Sequence, residues 1–344
     1  MHIKKVSSYK IINHILLYKE LSNYKQKKKL VEYDLILNKV VQSLIFEINF
    51  SFTENSNYLL FDPNNSVYDI NNKTYINKCF NSIINNIGII DKDWNGVYSL
   101  NNLFLLPEEK QILSEWLPNR IFHIQDQYWC NDTDEDFKLI DADSGEILWT
   151  IPQSKVEKPY GYNGLTNIKK VLGIYKGNLW LQLPDSRFLV LDIRDGSIKH
   201  ELKHDYYIVH ERGTFFDREE GIIKVLYYNL YAKYSLDLME FVEEVDLGIP
   251  EIFQVTSMIS RPKDKYIYYT AKLNDVSMIS NAYGIFDTEK KEVIFQGEEI
   301  EVDGHFYQEP QVNDELFTIL DSKGNLIIHK LKDILPSQLD RAYL

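Results

Sequence analysis

The chain has 344 residues, enough for two ordinary domains or for one repeat architecture with an ample core. Lys plus Arg number 38 against 51 Asp plus Glu, a net charge of −13, so the mean surface field repels nucleic-acid phosphate and favours a basic protein partner. No apolar run approaches the ~18 residues of a membrane-spanning helix, so no membrane partner is expected, and the two cysteines, Cys79 and Cys130, give no disulfide framework, which suits a reducing compartment.

In chain order, Lys4 and Lys5 ahead of the apolar stretch 11–17 imitate a signal peptide. Asn13 and His14 interrupt the stretch and no small-residue cleavage site follows, so a cytoplasmic location is expected. The cationic run Lys25-Gln-Lys-Lys-Lys29 reads as a solvated turn, and residues 1–29 as an N-terminal extension or closing strand. Strand signals begin at 30–37 and 40–46, then at 48–52, 58–61, 67–70 and 75–80, the last four forming a compact set broken by the turn Asp62-Pro-Asn-Asn65. Further four-strand units are expected over 83–117, 120–152, 168–203, 206–247 and 252–300.

One pattern organises these units. Leu139 and Ile140 end a strand, Asp141 to Gly145 supplies turn chemistry, and residues 147–151 return before Pro152. The order apolar pair, Asp, turn, strand recurs with Asp192, Asp237 and Asp287 as anchors, at spacings of 51, 45 and 50 residues, and Asp34 fits an earlier copy. About 40 to 50 residues suits one four-stranded propeller blade. Asp-x-x-x-Gly followed by a Trp-bearing strand resembles the repeats of the pyrroloquinoline-quinone-like and WD-repeat propellers, over residues 30–335. Asp141 to Trp149 carries the fullest match; Asp192 to Ile198 keeps Asp and Gly without Trp. The resemblance implies fold far more than activity, and no quinone-binding set carries over. The expected fold is therefore an all-β propeller forming a single domain over 1–344, with seven blades and six or eight as alternative divisions. A terminal hairpin from Phe306 onward, anchored at Asp321, is expected to pair with an N-terminal strand and so close the structure.

Candidate chemistry is sparse. His200-Glu-Leu-Lys-His204 fits the H-E-x-x-H zinc pattern, with His210 at the place of a third ligand and Glu201 as general base. That pattern requires one helix, whereas Ile198, His200, Leu202 and His204 alternate at strand period after the Asp195-Gly196 turn. On a strand the two histidines stand ~13 Å apart, too far to share an ion bound at ~2 Å. Asp132-Thr-Asp-Glu-Asp136 begins like a calcium loop but has Phe137 where the sharp turn needs Gly. Phosphate-binding glycine loops and a nucleophile elbow are missing from the sequence. No catalytic residue, metal or cofactor is expected, and a hydrolase using the zinc pattern or a propeller-face site is the alternative.

Trp94, Trp116, Trp129, Trp149 and Trp180 read mostly as core. The loop 154–167, carrying Tyr160, Tyr162 and Asn163, has the composition of a recognition loop. With Asp132, Asp134, Glu135, Asp136, Asp185 and Arg187 on second-to-third-strand turns, these residues form the expected partner-binding set. The function expected is a non-catalytic, monomeric binder of a basic protein, such as a bacterial immunity protein facing a cognate toxin, or an assembly scaffold.

Overall fold

The structure is a computed structural model and describes residues 1–12, 14–20, 28–47, 49–52, 58–62, 66–76, 82–84, 87–94, 99–105, 110–116, 120–124, 128–132, 136–141, 144, 146–152, 155, 168, 170–183, 187–202, 211–247, 254–273, 280–298, 304–306 and 308–335. The described strands form eight four-stranded antiparallel sheets. β1 (His2–Ile3) belongs with the far end of the chain. Sheet I is β2 (Val6–Ile12), β3 (Ile15–Glu20), β4 (Lys28–Asp34) and β5 (Lys39–Phe46); sheet II is β6 (Asn49–Phe52), β7 (Tyr58–Asp62), β8 (Val67–Asp69) and β9 (Thr74–Ile76). Sheet III is β10 (Ser82–Ile84), β11 (Ile87–Trp94), β12 (Ser99–Leu105) and β13 (Lys110–Trp116); sheet IV is β14 (Arg120–Ile124), β15 (Tyr128–Asp132), β16 (Asp136–Asp141) and β17 (Ile147–Pro152). Sheet V is β18 (Lys170–Tyr175), β19 (Asn178–Gln182), β20 (Phe188–Asp192) and β21 (Ile198–Leu202); sheet VI is β22 (Thr214–Asp217), β23 (Ile222–Tyr227), β24 (Leu230–Ser235) and β25 (Glu240–Asp246). Sheet VII is β26 (Gln254–Ser260), β27 (Tyr266–Lys272), β28 (Ala282–Asp287) and β29 (Glu292–Glu298); sheet VIII is β30 (Gln311–Val312), β31 (Leu316–Leu320), β32 (Leu326–Lys330) and β1.

This is the all-β propeller of four-stranded antiparallel blades that the repeat implies, closed by pairing of the two terminal strands. Among the described residues the sheets number eight, one of the alternative divisions kept beside seven. The difference lies at the start of the chain. Within the first twenty residues β1 is the closing strand, and β2 and β3, which include most of the stretch resembling a signal peptide, complete sheet I. Two compact units emerge, one holding sheets I, VI, VII and VIII, the other sheets II to V.

The repeated turn has one physical basis. At the end of the third strand a buried carboxylate accepts backbone N–H bonds from the turn that follows, satisfying donors that the hairpin would otherwise strand. Asp34 Oδ1 accepts from Ile36 and Leu37 at 2.8 Å, and Asp69 Oδ1 from Asn71 and Asn72 at 2.8 and 3.0 Å. Asp192 Oδ1 accepts from Arg194 at 2.9 Å, and Asp287 Oδ1 from Glu289 and Lys290 at 2.9 and 3.1 Å. In sheet VI the position belongs to Ser235, whose Oγ accepts the N–H of Leu238 at 3.1 Å, so the anchor lies two residues before the expected Asp237. Asp321 also accepts turn N–H groups, from Lys323 and Asn325, but it follows β31, a second strand, and so heads a different hairpin.

Four residues after each anchor the backbone enters the left-handed region: Asn38, Lys73, Gly196, Met239 and Lys291 have φ between 53° and 70°. Gly suits this conformation; other L-residues adopt it at about 1–2 kcal/mol. One residue before the anchor, the pairing of third and fourth strands slips by a bulge in sheets IV to VII, so these four hairpins turn with the same local twist.

Within the second unit, sheets IV and V share a core of Cys130, Phe137, Leu139, Trp149 and Ile151 against Leu179, Leu181, Leu189 and Leu191. Trp149 latches the two blades, its Nε1 donating to the Ile193 carbonyl at 2.8 Å. Its ring lies where a Cβ on Gly196 would fall, 2.9 Å away. Trp129 and Trp180 are also core. Within the first unit, β1 pairs with β32 through His2↔Ile327 and Ile3↔Leu326, and Tyr9 bonds across sheets I and VIII to the Thr318 carbonyl at 3.2 Å. Sheets VII and VIII meet through Tyr268, Tyr283, Phe306 and Phe317, with His329 accepting or donating at 3.0 Å to Tyr283 Oη.

Two outcomes follow from these seams. Gly196→Ala meets both the backbone strain and the Trp149 ring and is expected to lower unfolding free energy by about 2–4 kcal/mol, whereas Met239→Gly relieves strain alone and raises it by about 1 kcal/mol, both read by denaturant titration. Burial pushes His329 down to about 4. Its unfolded counterpart protonates near pH 6.5, so acid favours unfolding, and stability is lost as pH falls from about 6.5 through 4. His329→Phe flattens that part of the pH profile.

Candidate functional site

Two kinds of turn matter for recognition: the first-to-second and third-to-fourth hairpins at one end of each sheet, and the second-to-third turns and sheet-to-sheet crossings at the other. The expected partner-binding residues belong to the second kind. Asp132 and Asp136 end and begin β15 and β16, and Asp136 Oδ1 lies 3.7 Å from Lys138 Nζ. Arg187 precedes β20, is buried, and pairs with Glu201 on β21, so it ties the start of the third strand to the fourth. Asp134, Glu135, Tyr160, Tyr162, Asn163 and Asp185 lie outside the described residues.

The described turn of this kind with the most distinctive geometry is in sheet VI, where Tyr228 and Asn229 link β23 to β24. Tyr228 has φ 50°, a conformation in which a bulky aromatic is a real outlier. Two backbone bonds hold it there: its N–H donates to the Val255 carbonyl at 3.1 Å and its carbonyl accepts from Val255 at 3.3 Å. Tyr227 meets its ring edge to face, with centroids 4.5 Å apart and planes at 89°. Tyr228 nevertheless remains 44% exposed. The result is a rigid, solvent-facing aromatic anchor, the chemistry expected of Tyr160 and Tyr162. Sequence reasoning missed it. The available signal was a two-residue turn, Tyr-Asn, without the Gly that such a turn prefers.

At the opposite end of the first unit, charged side chains interlock from sheet VI to sheet VIII. Lys224 is 1% exposed and stands on β23 where Leu17, Trp180 and Tyr268 occupy the same register in β3, β19 and β27. Its Nζ donates to Asp217 Oδ2 at 2.9 Å and to the Asp264 carbonyl at 2.6 Å, and lies 3.1 Å from Glu220. Asp217, fully buried, also accepts the Lys263 N–H at 2.8 Å. Burial alone would raise its carboxyl, but the bonds from Lys224, Glu220 and Lys263 outweigh that and hold it below the usual carboxylate range. Arg261 extends the chain of contacts to Asp264 at 2.6 Å and to the Asn313 carbonyl at 3.0 Å. This arrangement clamps three hairpins and leaves Glu219 and Asp314 facing solvent. In the zinc pattern, His200 and Glu201 lie on the extended strand β21, with His200 opposite Val190, so the motif begins on a strand where the metalloprotease chemistry needs a helix. His204 and His210 lie outside the described residues. Among the described residues no helix is long and apolar enough to cross a membrane.

No family model and no curated protein matches the chain. Solved structures do. The C-terminal WD40 domain of Sif2 is 8% identical with a TM-score of 0.58, covering 98% of this chain and 97% of that one. Sqt1 of Chaetomium thermophilum, solved bound to the N-terminus of ribosomal protein L10, is 10% identical with a TM-score of 0.60, covering 95% and 100%. BamB from Moraxella catarrhalis is 8% identical with a TM-score of 0.56, covering 96% and 98%. At these identities the likeness concerns the fold, a β-propeller built of repeats of the kind read from the sequence.

The clamp yields a contrast in stability. Lys224→Met leaves Asp217 buried without its cation and is expected to cost about 3–5 kcal/mol, while the double variant Lys224→Met/Asp217→Asn recovers most of that loss in denaturant unfolding, because no unpaired charge then remains.

Proposed function

We propose that this chain is a non-catalytic propeller, acting as one domain over residues 1–344, that binds another protein through turns of the second-to-third class. The observation that carries this reading is Tyr228. Its backbone conformation lowers stability by about 1–2 kcal/mol relative to a glycine, yet the side chain is not used to fill the core. Rigid exposed tyrosines of this kind make good binding hot spots, giving apolar contact area at small entropic cost. Sqt1, a propeller of similar fold, holds a segment of a protein partner, which supports the same class of function here.

The partner is basic. A net charge of −13 supplies long-range attraction for a cation-rich protein. The acidic turn at 132–136, with Asp132, Asp134, Glu135 and Asp136, is the steering element in sheet IV, and Tyr160, Tyr162, Asn163 and Asp185 belong to turns and crossings of the same class. Arg187, paired with Glu201, fixes the start of β20. A bacterial immunity protein that neutralises a basic toxin in the cytoplasm fits these features, as does an assembly scaffold for a basic subunit.

The test is affinity capture followed by binding kinetics with the purified partner. Tyr228→Gly is expected to raise the unfolding free energy by about 1 kcal/mol and yet speed dissociation about tenfold or more. Asp134→Lys/Asp136→Lys slows association, with the largest effect at low salt. An acidic partner, or rates that ignore all three substitutions, overturns the reading. Co-expression with a toxin-like neighbouring reading frame separates the two biological roles, since only an immunity protein restores growth.

A further inference from the structure

The outermost strand of each sheet has an edge that no other described strand covers, and an uncovered edge is a template for another chain unless something blunts it. Seven of the eight outer strands are blunted. β1 and β9 are two and three residues long. β17 ends in Pro152 and contains a bulge. β13 carries Lys110 and Glu115, and β21 carries Lys199 and Glu201. β25 carries Glu240, Glu243, Glu244 and Asp246, and β29 carries Glu292 and Glu298. β5 differs. It is eight residues long, and after Lys39 it reads Val-Val-Gln-Ser-Leu-Ile-Phe, with no charge, no Pro and no Gly. Val40, Val41 and Ile45 are 52%, 51% and 64% exposed, and Ile36 and Leu37 on the preceding turn add a further apolar area. An uncharged, β-branched seven-residue segment is the composition that pairs most readily with its own kind.

We propose that β5 pairs antiparallel with β5 of a second copy of this chain, joining sheet I of each into one continuous sheet across a two-fold axis. The sequence is its own complement about Ser43. In that register Val41 faces Ile45 of the copy and Gln42 faces Leu44, so exposed aliphatic side chains meet on both sides of the axis, while the Phe46 ring stays packed on Phe50 and Phe61 of its own chain. Charge selects this edge for a second copy. Two molecules of net charge −13 repel, and pairing β25 with itself would bring carboxylates together, whereas β5 offers an edge free of acidic groups. The contact is small, so the dimer is weak and concentration-dependent. It replaces the monomer expected from the sequence.

Sedimentation equilibrium of the full chain over roughly micromolar to hundred-micromolar concentrations tests this. Wild type should shift from one chain towards two as concentration rises. Val41→Lys and Ile45→Glu alter exposed positions; each alone should raise the dimer dissociation constant about tenfold or more, with the melting temperature unchanged. The double variant Val41→Lys/Ile45→Glu sets opposite charges facing each other twice across the axis and should restore the dimer in a salt-sensitive way. A wild type that stays monomeric throughout overturns the proposal, as do a dimer indifferent to the single substitutions and a double variant no better than its parents.

Discussion

A carboxylate that ends a strand by accepting the N–H groups of its own turn is the interaction on which this molecule depends. In water such a bond adds little, because solvent competes for both partners. Here Asp69, Asp192 and Asp287 are nearly or wholly buried, so the turn N–H groups would otherwise be desolvated and unpaired. Burial by itself favours the neutral carboxyl, yet at Asp287 the turn N–H groups of Glu289 and Lys290 and the ammonium of Lys265 hold the group ionised. The bond fixes where the third strand stops. The left-handed residue four positions on then fixes how the fourth strand returns, and the bulge before the anchor sets its twist. Repeating these three features gives successive sheets that present comparable faces for packing.

Side chains between blades supply what the repeat cannot. Leucines, valines and aromatics fill the seams described within each unit, but individual seams carry their own devices: the Trp149 indole against Gly196, the Tyr9 hydroxyl at Thr318, the His329 ring among Phe295, Phe317 and Tyr283. Each ties a hairpin or strand of one sheet to its neighbour by a contact that depends on orientation. Such contacts distinguish a unique stacking from a merely greasy one.

Much of the fold was legible because turn chemistry is local. An apolar pair, Asp, three residues and Gly can be recognised without knowing what lies across the seam, and 141–149 and 192–198 carry it almost whole. Legibility failed where another residue took the role. Ser235 does the work of Asp with one oxygen, so the nearby Asp237 attracted the assignment; Asp321 uses the same local bonds in a different hairpin. β2 and β3 were obscured by a resemblance between an apolar strand and a secretory segment, since both are short runs of Ile and Leu. The candidate site was harder still. Tyr228 and Lys224 look ordinary in sequence, and only the backbone angle of one and the burial of the other set them apart. The extended course of β21, by contrast, followed directly from the alternation around His200.

The buried Lys224 has a meaning for how the chain finds its structure. Sister blades of near-identical outline invite mis-stacking, a characteristic hazard of repeat proteins during folding. Apolar residues at the equivalent register, such as Leu17, Trp180 or Tyr268, tolerate many neighbours. An ammonium group does not: sheet VI becomes neutral and hydrogen-bonded when Asp217 accepts from it and the hairpin beginning sheet VII offers its Asp264 carbonyl and Lys263 N–H. The Asp217 charge travels with Lys224 in the same sheet, but a neighbour without those two groups would leave a donor of the ammonium and an acceptor of the carboxylate unmade inside, at a penalty of about 1–3 kcal/mol each. The pair thus works as an address label, written in electrostatics on one blade and readable by one partner, that keeps the order of assembly faithful to the order of synthesis.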